Sequence, residues 1–317
     1  MASIYQMNET LPFGPTRRTV ITVGTFDGLH LGHREILKHV KLTAKKLNAE
    51  PVLVTFDPHP RHVISGKPEP KLLTTRDEKV ELLGTFFSGS VVVLPFDKTL
   101  QGLSARDFVK DVLVAKFAPL HMVIGYDHAF GRNRGGTTGD LQVMGTELGF
   151  TVDVIEPVLL NGKPNSSSRI RIALGEGNLP YANELLGAQY GLLGTVVRGI
   201  GKGHELGFPT ANLQVPAEKL IPKEGVYACN AVLDGQVFPG VLFMGTNYLN
   251  PEEKQTVEVH LFNFDRDIYT NWLWLYPSAW LRENRRFDSV EALVAQIRKD
   301  TDQAMTIMTN TQYMIKE

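Results

Sequence analysis

From Thr19 to Ile155, short apolar runs alternate with amphipathic stretches, and this alternation limits the possible folds more than any other feature. Thr19–Val23, 51–56, 91–94, 121–125 and Thr151–Ile155 read as buried strands. Helices are expected after the first strand (Ile36, Leu37, Val40 and Leu47 on one face) and over Arg76–Phe86, 104–116 and about 140–148. Such an order implies right-handed βαβ units and a parallel sheet covered on both faces. Residues 1–18 have no clear period and read as a lead-in to the first strand. A helical stretch over 169–187, interrupted at 175–178, stops at Gly187. From Tyr190 the texture becomes β: 193–197, 225–232, 237–244, 257–262 and 272–276, with a turn at Asp234-Gly235. That pattern predicts a small antiparallel barrel, followed by a helix from Ser289 to about Met308. The boundary between the halves is expected near 187–190, giving domains 1–187 and 188–317.

The bulk numbers exclude several classes. A length of 317 residues accommodates two domains with separate cores. A net charge of −1 offers no broad surface for nucleic acid or membrane, so a phosphate ligand must be held by local groups. Cys229 is the only cysteine, which excludes an internal disulfide framework and a cysteine-based zinc site. No charged-then-apolar leader opens the chain and no apolar run approaches the ~18 residues of a membrane span. The expectation is a cytoplasmic protein, monomeric or weakly homo-oligomeric, with small-molecule substrates.

The polar clusters fall at the carboxyl ends of the predicted strands, where open α/β sheets bind ligands. After the first strand comes Gly24-Thr25-Phe26-Asp27-Gly28-Leu29-His30-Leu31-Gly32-His33, leading into a helix N-terminus. Free N–H groups and the helix dipole favour a phosphate there, and imidazoles can donate to developing negative charge. The spacing is neither a P-loop nor a dinucleotide fingerprint. The second strand ends in Thr55-Phe56-Asp57-Pro58-His59-Pro60 and the fourth in Gly125-Tyr126-Asp127-His128-Ala129-Phe130-Gly131. After the fifth, a loop with Asn161-Gly162-Lys163-Pro164 leads to Ser166-Ser167-Ser168-Arg169-Ile170-Arg171, whose hydroxyls and guanidinium suit phosphate oxygens.

His30-Leu31-Gly32-His33, within G-x-F-D-G-x-H-x-G-H, resembles the signature of the nucleotidyltransferase superfamily as it stands in prokaryotic FAD synthetases. Thr-Phe-Asp-Pro-His-Pro, Gly-Tyr-Asp-x-x-Phe-Gly and Ser-Ser-x-Arg-Ile-Arg resemble other segments of the same adenylyltransferase module. Asn165 and Ser168 stand where that pattern usually has isoleucine and threonine. The resemblance implies a Rossmann-like nucleotidyltransferase domain in the N-terminal half. It implies catalytic His30 and His33, and ATP or phosphate contacts from Gly24, Phe26, Asp27, Gly28, Gly32, Asp127, Ser167, Ser168 and Arg169. Flavin contacts are implied for Asp57, Pro58 and His59. A cytidylyltransferase acting on another phosphate ester is the nearest rival, because H-x-G-H alone does not choose the nucleotide.

The second concentration of chemistry is Gly199 to Leu213, where a glycine-rich loop runs into Pro209-Thr210-Ala211-Asn212. Its N–H groups suit polyphosphate, and Thr210 and Asn212 offer neutral oxygens suited to a magnesium ion that keeps much of its water. Glu258 lies in a strand pattern with outward polar positions, where at a barrel mouth it can take a proton from a hydroxyl. Leu206 to Asn212, Gly225-Val226-Tyr227, Val257 to Leu261 and Phe287-Asp288-Ser289 resemble riboflavin kinase, the other module of bifunctional FAD synthetases. The resemblance implies that Gly201, Lys202, Gly203, Gly207 and Pro209 contact ATP, that Thr210 and Asn212 hold Mg2+ with ATP, and that Glu258 is the base. Riboflavin, FMN and FAD would then be substrates and products. Departures from the pattern are Phe243-Met244-Gly245 and Tyr248-Leu249-Asn250 in place of the usual Asn-Ile-Gly and Pro-Thr-Phe. An arginine common in the loop is missing around Lys202-Gly203-His204, and Thr270 replaces a glycine. Two other readings stay open: an adenylyltransferase with a lapsed kinase module serving as a flavin-binding or regulatory domain, and a non-catalytic regulator that binds flavin or nucleotide.

Overall fold

The computed structural model describes residues 3–6, 9–14, 16–64, 70–246 and 255–310. Contacts divide the chain into two compact units, Met1–Ser167 and Ser168–Glu317. The units therefore part at the start of the helical stretch that the sequence assigns to the first domain, twenty residues ahead of the change to β texture. Among the described residues, no helix is long and apolar enough to cross a membrane.

In the first unit the strands are β1 (Ser3–Gln6), β2 (Thr19–Val23), β3 (Glu50–Asp57), β4 (Ser90–Pro95), β5 (Pro119–Gly125) and β6 (Thr151–Ile155). Helix α1 (Leu31–Leu47) links β2 to β3, and α2 (Pro60–Val63) and α3 (Arg76–Phe86) precede β4. Helices α4 (Lys98–Gly102) and α5 (Ala105–Asp107), a π-helical stretch over Phe108–Val114 and α6 (Ala115–Phe117) lead to β5. Helix α7 (Thr138–Leu148) lies before β6. The sheet is parallel throughout, in the order β1-β4-β3-β2-β5-β6. Strand alternation divides its core. Ile21, Val52 and Val92 face Phe108, Val112, Phe117 and Leu141, while Val20, Leu53 and Val91 face Leu37, Val40 and Leu83.

Two expectations are corrected here. Residues 1–18 contain an edge strand, since β1 pairs with β4 from Ser3↔Ser90 to Gln6↔Val93. The 161–164 loop closes a hairpin of β7 (Leu159–Leu160) and β8 (Lys163–Pro164), with Asn161 and Gly162 both at positive φ as a tight primed turn requires.

The second unit opens with α8 (Ser167–Glu176) and α9 (Leu179–Leu186), broken where the sequence puts its glycines. Strand β9 (Leu192–Val197), α10 (Lys202–Glu205) and β10 (Ala211–Gln214) follow. Then come β11 (Gly225–Leu233), β12 (Gln236–Gly245), β13 (Thr256–Leu261), β14 (Trp272–Arg282) and α11 (Val290–Asn310). The strands close an antiparallel barrel in the order β10-β13-β12-β11-β14-β9. Inward positions such as Tyr227, Leu242, Val259 and Leu273 are fully buried. Helix α11 covers part of the outer surface, with Ala304 buried against Ala228 and Phe262. It is clasped there by Arg282, whose Nε donates to both oxygens of the buried Asp300 at 3.0 and 2.9 Å. Strand β14 runs six residues past the predicted end, and the supposed glycine loop contains both a short helix and β10.

Thr270 has φ +68, the left-handed region in which a β-branched residue is strained, and its N–H donates to the Val196 carbonyl at 2.9 Å. Glycine would keep that bond and lose the strain. Thr270→Gly is expected to raise the unfolding free energy of the barrel by about 1 kcal/mol, readable by denaturant titration.

Candidate active sites

Strand order alone brings three clusters to one rim. Strand β2 lies between β3 and β5, so the segments after these strands are neighbours at the point where the winding of the sheet reverses. The segment after β2 is tied down from below. The Asp27 carboxylate, 2% exposed, accepts the N–H groups of Leu73 and Thr74 at 2.9 and 3.0 Å. The Gly28 N–H donates to the Thr74 hydroxyl, and the Gly24 N–H to the Val54 carbonyl, both at 3.0 Å. The Gly24 and Gly28 N–H groups and the Asp27 carboxylate thus anchor the turn that carries the histidines. Ser167 joins the same anchor, its hydroxyl donating to the Asp27 carbonyl at 2.9 Å.

What that frame holds up is a pair of imidazoles. His30 caps α1, its Nδ1 accepting the His33 N–H at 3.4 Å, which leaves the proton of the neutral ring on Nε2. The His33 ring stacks on it at 3.7 Å between centroids and touches the buried Phe26 ring at 4.9 Å. A side chain at Gly32 would press on the His30 ring at 3.2 Å, so close stacking favours glycine there. Burial lowers the His30 pKa to about 4, Asp27 opposing only in part. Burial and the neighbouring His30 push His33 well below the ordinary value. Both rings are therefore neutral hydrogen-bonding groups near neutral pH.

The other rim segments sit as follows. Asp57 and Pro58 are exposed at the end of β3, with Arg76 4.0 Å from the Asp57 carboxylate. His59 caps α2, its Nδ1 accepting the Arg61 N–H at 3.2 Å. Asp127 is exposed beyond β5, and its carbonyl accepts from Arg134 at 3.4 Å. Beside it the His128 ring stacks on Phe130, and burial lowers its pKa to about 4. Lys79 was not among the sequence candidates. Its Nζ donates to the Thr25 carbonyl at 2.6 Å, and burial lowers its pKa while Asp27 and Asp57 raise it. The capping box of Thr75 and Glu78 that starts α3 was the available signal, because it sets Lys79 on the first turn. Ser168 and Arg169 belong to the second unit, where the Arg169 guanidinium donates to the Tyr181 hydroxyl and lies over its ring at 5.6 Å.

Three histidines held neutral by desolvation make this unit acid-sensitive. In the unfolded chain His30, His33 and His128 take up protons near pH 6.5, whereas folded His30 and His128 do so only near pH 4. The unfolded state binds more protons between those values, so stability is full above pH 6.5 and is lost as pH falls toward 4. Urea titrations at stepped pH are expected to show that loss, and His33→Ala to make it shallower.

The second cluster lies on the outward-facing side of β10 and β13. On β13, Val257, Val259 and Leu261 are buried, leaving Thr256, Glu258 and His260 half-buried on the other side. Register places Glu258 directly opposite Asn212 of β10. The Thr256 hydroxyl donates to Glu258 Oε1 at 3.2 Å. The 199–209 segment lies across these strands with no room to spare. A Cβ on Gly199 would come within 2.3 Å of Asn212 Nδ2, and one on Gly203 within 3.0 Å of Thr210 Oγ1. Gly201 and Gly207 take positive φ on either side of α10, whose first residue is Lys202. Pro209 offers its carbonyl to His260 Nδ1 at 2.8 Å. Phe243, Met244 and Gly245 end β12, with Phe243 opposite Glu258. Tyr248, Leu249 and Asn250 lie outside the described residues.

Comparison with known proteins agrees with this division. The FAD synthetase family matches residues 14–169, and the riboflavin kinase family matches residues 186–308. A protein of Listeria monocytogenes named bifunctional riboflavin kinase/FMN adenylyltransferase is 34% identical over 89% of this chain and 90% of its own. The protein of the same name from Escherichia coli K12 is 33% identical over 92% and 93%. A crystal structure from Streptococcus pneumoniae, described as a macrolide-efflux protein, superposes with a TM-score of 0.84 at 27% identity, covering 98% of this chain and 99% of that one. With two catalytic family matches in tandem and relatives aligned nearly end to end, the chain belongs to the bifunctional riboflavin kinase/FMN adenylyltransferase family.

Proposed function

We propose that the chain phosphorylates riboflavin to FMN with ATP at the barrel and adenylylates FMN to FAD, releasing pyrophosphate, at the parallel sheet. The adenylyltransferase module is taken as 1–187 and the kinase module as 188–317. The observation that carries this reading is that each family match contains its own polar cluster: the stacked imidazoles in one, and Asn212 facing Glu258 in the other.

Both reactions are in-line displacements at phosphorus, where positioning and charge neutralisation supply most of the rate. In the second, an oxygen of the FMN phosphate attacks the α-phosphorus of ATP and the bond to pyrophosphate breaks. That nucleophile is already ionised, so no base is needed. His30 and His33, neutral and preorganised, donate to the phosphate oxygens as charge grows on them. Ser167 is assigned to the phosphates, Asp127 to the nucleotide side, and Asp57, Pro58 and His59 to the flavin.

In the first reaction the nucleophile is the primary alcohol of riboflavin. Glu258 takes its proton as the oxygen bonds to the γ-phosphorus and ADP leaves. Gly201, Lys202, Gly203 and Gly207 wrap the polyphosphate. The donor set at this site suits magnesium: the Thr210 hydroxyl and Asn212 amide oxygen are hard and neutral, and Gly199 and Gly203 leave the two side chains no space for a bulkier neighbour. Two protein oxygens would leave the remaining positions to water and phosphate. When bound, the ion supplies neutralisation of phosphate charge.

Incubating the pure protein with riboflavin and Mg-ATP tests the reading. FMN is expected first and FAD after it. FAD from added FMN without any turnover of riboflavin would leave only the adenylyltransferase. Failure to release pyrophosphate from ATP on adding FMN would remove that activity too.

A further inference from the structure

We infer that His260 is a positioning residue for the kinase reaction: it pins the glycine-rich segment to the barrel wall and so fixes Thr210 relative to Glu258. The inference rests on the assignment of Thr210, Asn212 and Glu258 to the kinase site. Pro209 directly precedes Thr210 and has no N–H of its own. Its carbonyl accepts from His260 Nδ1 at 2.8 Å, and this is a long-range tie, from β13 to the segment before β10. The acceptor is a carbonyl, so the His260 proton must sit on Nδ1.

The ring also packs where it is bound. It meets Phe208 edge-on at 5.6 Å and Phe262 at 6.0 Å. Phe208 carries the hold back into the glycines, because its N–H donates to the Gly203 carbonyl at 2.8 Å. Gly203 in turn lies against the Thr210 side chain. Thus one imidazole closes a path through Pro209, Phe208 and Gly203 to the proposed metal-holding hydroxyl.

Strand geometry explains why the position has to be 260. Alternate residues of a strand share a face and stand about 6–7 Å apart. With Glu258 facing outward, His260 is the next outward residue of β13, and its reach sets the distance between the proton acceptor and the segment that would hold the nucleotide. The imidazole touches neither a reacting atom nor the proton in flight. Its removal should loosen nucleotide binding more than it slows chemistry.

For His260→Ala we expect the KM for ATP in the riboflavin kinase reaction to rise roughly tenfold, the size of one lost hydrogen bond, with kcat changed less than about threefold. Amide hydrogen exchange at Phe208 should quicken in the same variant without nucleotide present. His260→Asn, whose amide can donate from nearly the Nδ1 position, should restore both readouts. FAD formation from FMN should not move. Unchanged KM and unchanged exchange in His260→Ala would overturn the inference. So would a collapse of kcat that asparagine fails to rescue, since that is the mark of a structural or directly chemical role. Thr210→Ala separates the premise from the inference. If it leaves kinase activity intact, the site assignment is wrong; if it abolishes activity while His260→Ala behaves as wild type, the assignment stands and only the latch fails.

Discussion

His33→Ala is expected to lower FAD formation from FMN and ATP by roughly two to three orders of magnitude, the range found when one preorganised donor to a developing oxyanion is removed. The choice of His33 over His30 follows from their local roles. His30 also caps α1 through its Nδ1, so alanine there would weaken the helix start as well as the site. His33 caps nothing, and its Nδ1 is buried without a hydrogen-bond partner among the described residues. Such an atom is a cost in the free protein unless a ligand or water meets it. Because burial keeps the ring neutral, its contribution is a directed hydrogen bond rather than a charge, and it should persist across neutral pH. Riboflavin phosphorylation, carried by the other unit, should proceed at the wild-type rate. If both products fell together in a variant whose circular dichroism and unfolding were normal, the assignment of the two reactions to separate sites would be wrong.

The framework of both units was legible because it rests on local pattern. Thr19–Val23 is wholly buried and reads as an unbroken β-branched run, and Arg76–Phe86 carries its own capping box. The elements that escaped depend on partners distant in the chain. Ser3–Gln6 has too little apolar character to announce a strand and is one only because it pairs with β4. Within the first site, the histidines were visible as a motif, but the anchoring bonds of Gly24, Asp27 and Gly28 were not. Their hydrogen bonds go to Val54, Leu73 and Thr74, and no local rule predicts which side a turn will present to them. Lys79 escaped for the same reason. In the barrel, residue types at 212 and 258 were suggestive singly, whereas their pairing is a matter of register, which forms only when β10 and β13 meet.

Register also gives the second large effect. Glu258→Gln should cut kcat for FMN formation by about 10²–10⁴, the usual worth of a general base, while FAD formation from supplied FMN stays at the wild-type level. Glutamine keeps the volume of the side chain and can still accept from the Thr256 hydroxyl, now 3.2 Å from Oε1, so the strand pairing with Asn212 and Phe243 has no reason to change. What it removes is the capacity to hold the proton of an alcohol. The loss should therefore appear in kcat, with the KM for ATP near its original value. Asn212→Ala should show the opposite balance, because it removes an oxygen proposed to hold the metal with the nucleotide but leaves the base in place. If Glu258→Gln raised the KM for ATP and left kcat alone, the carboxylate would belong to nucleotide binding. The base would then have to be sought elsewhere on the same outer face of the barrel.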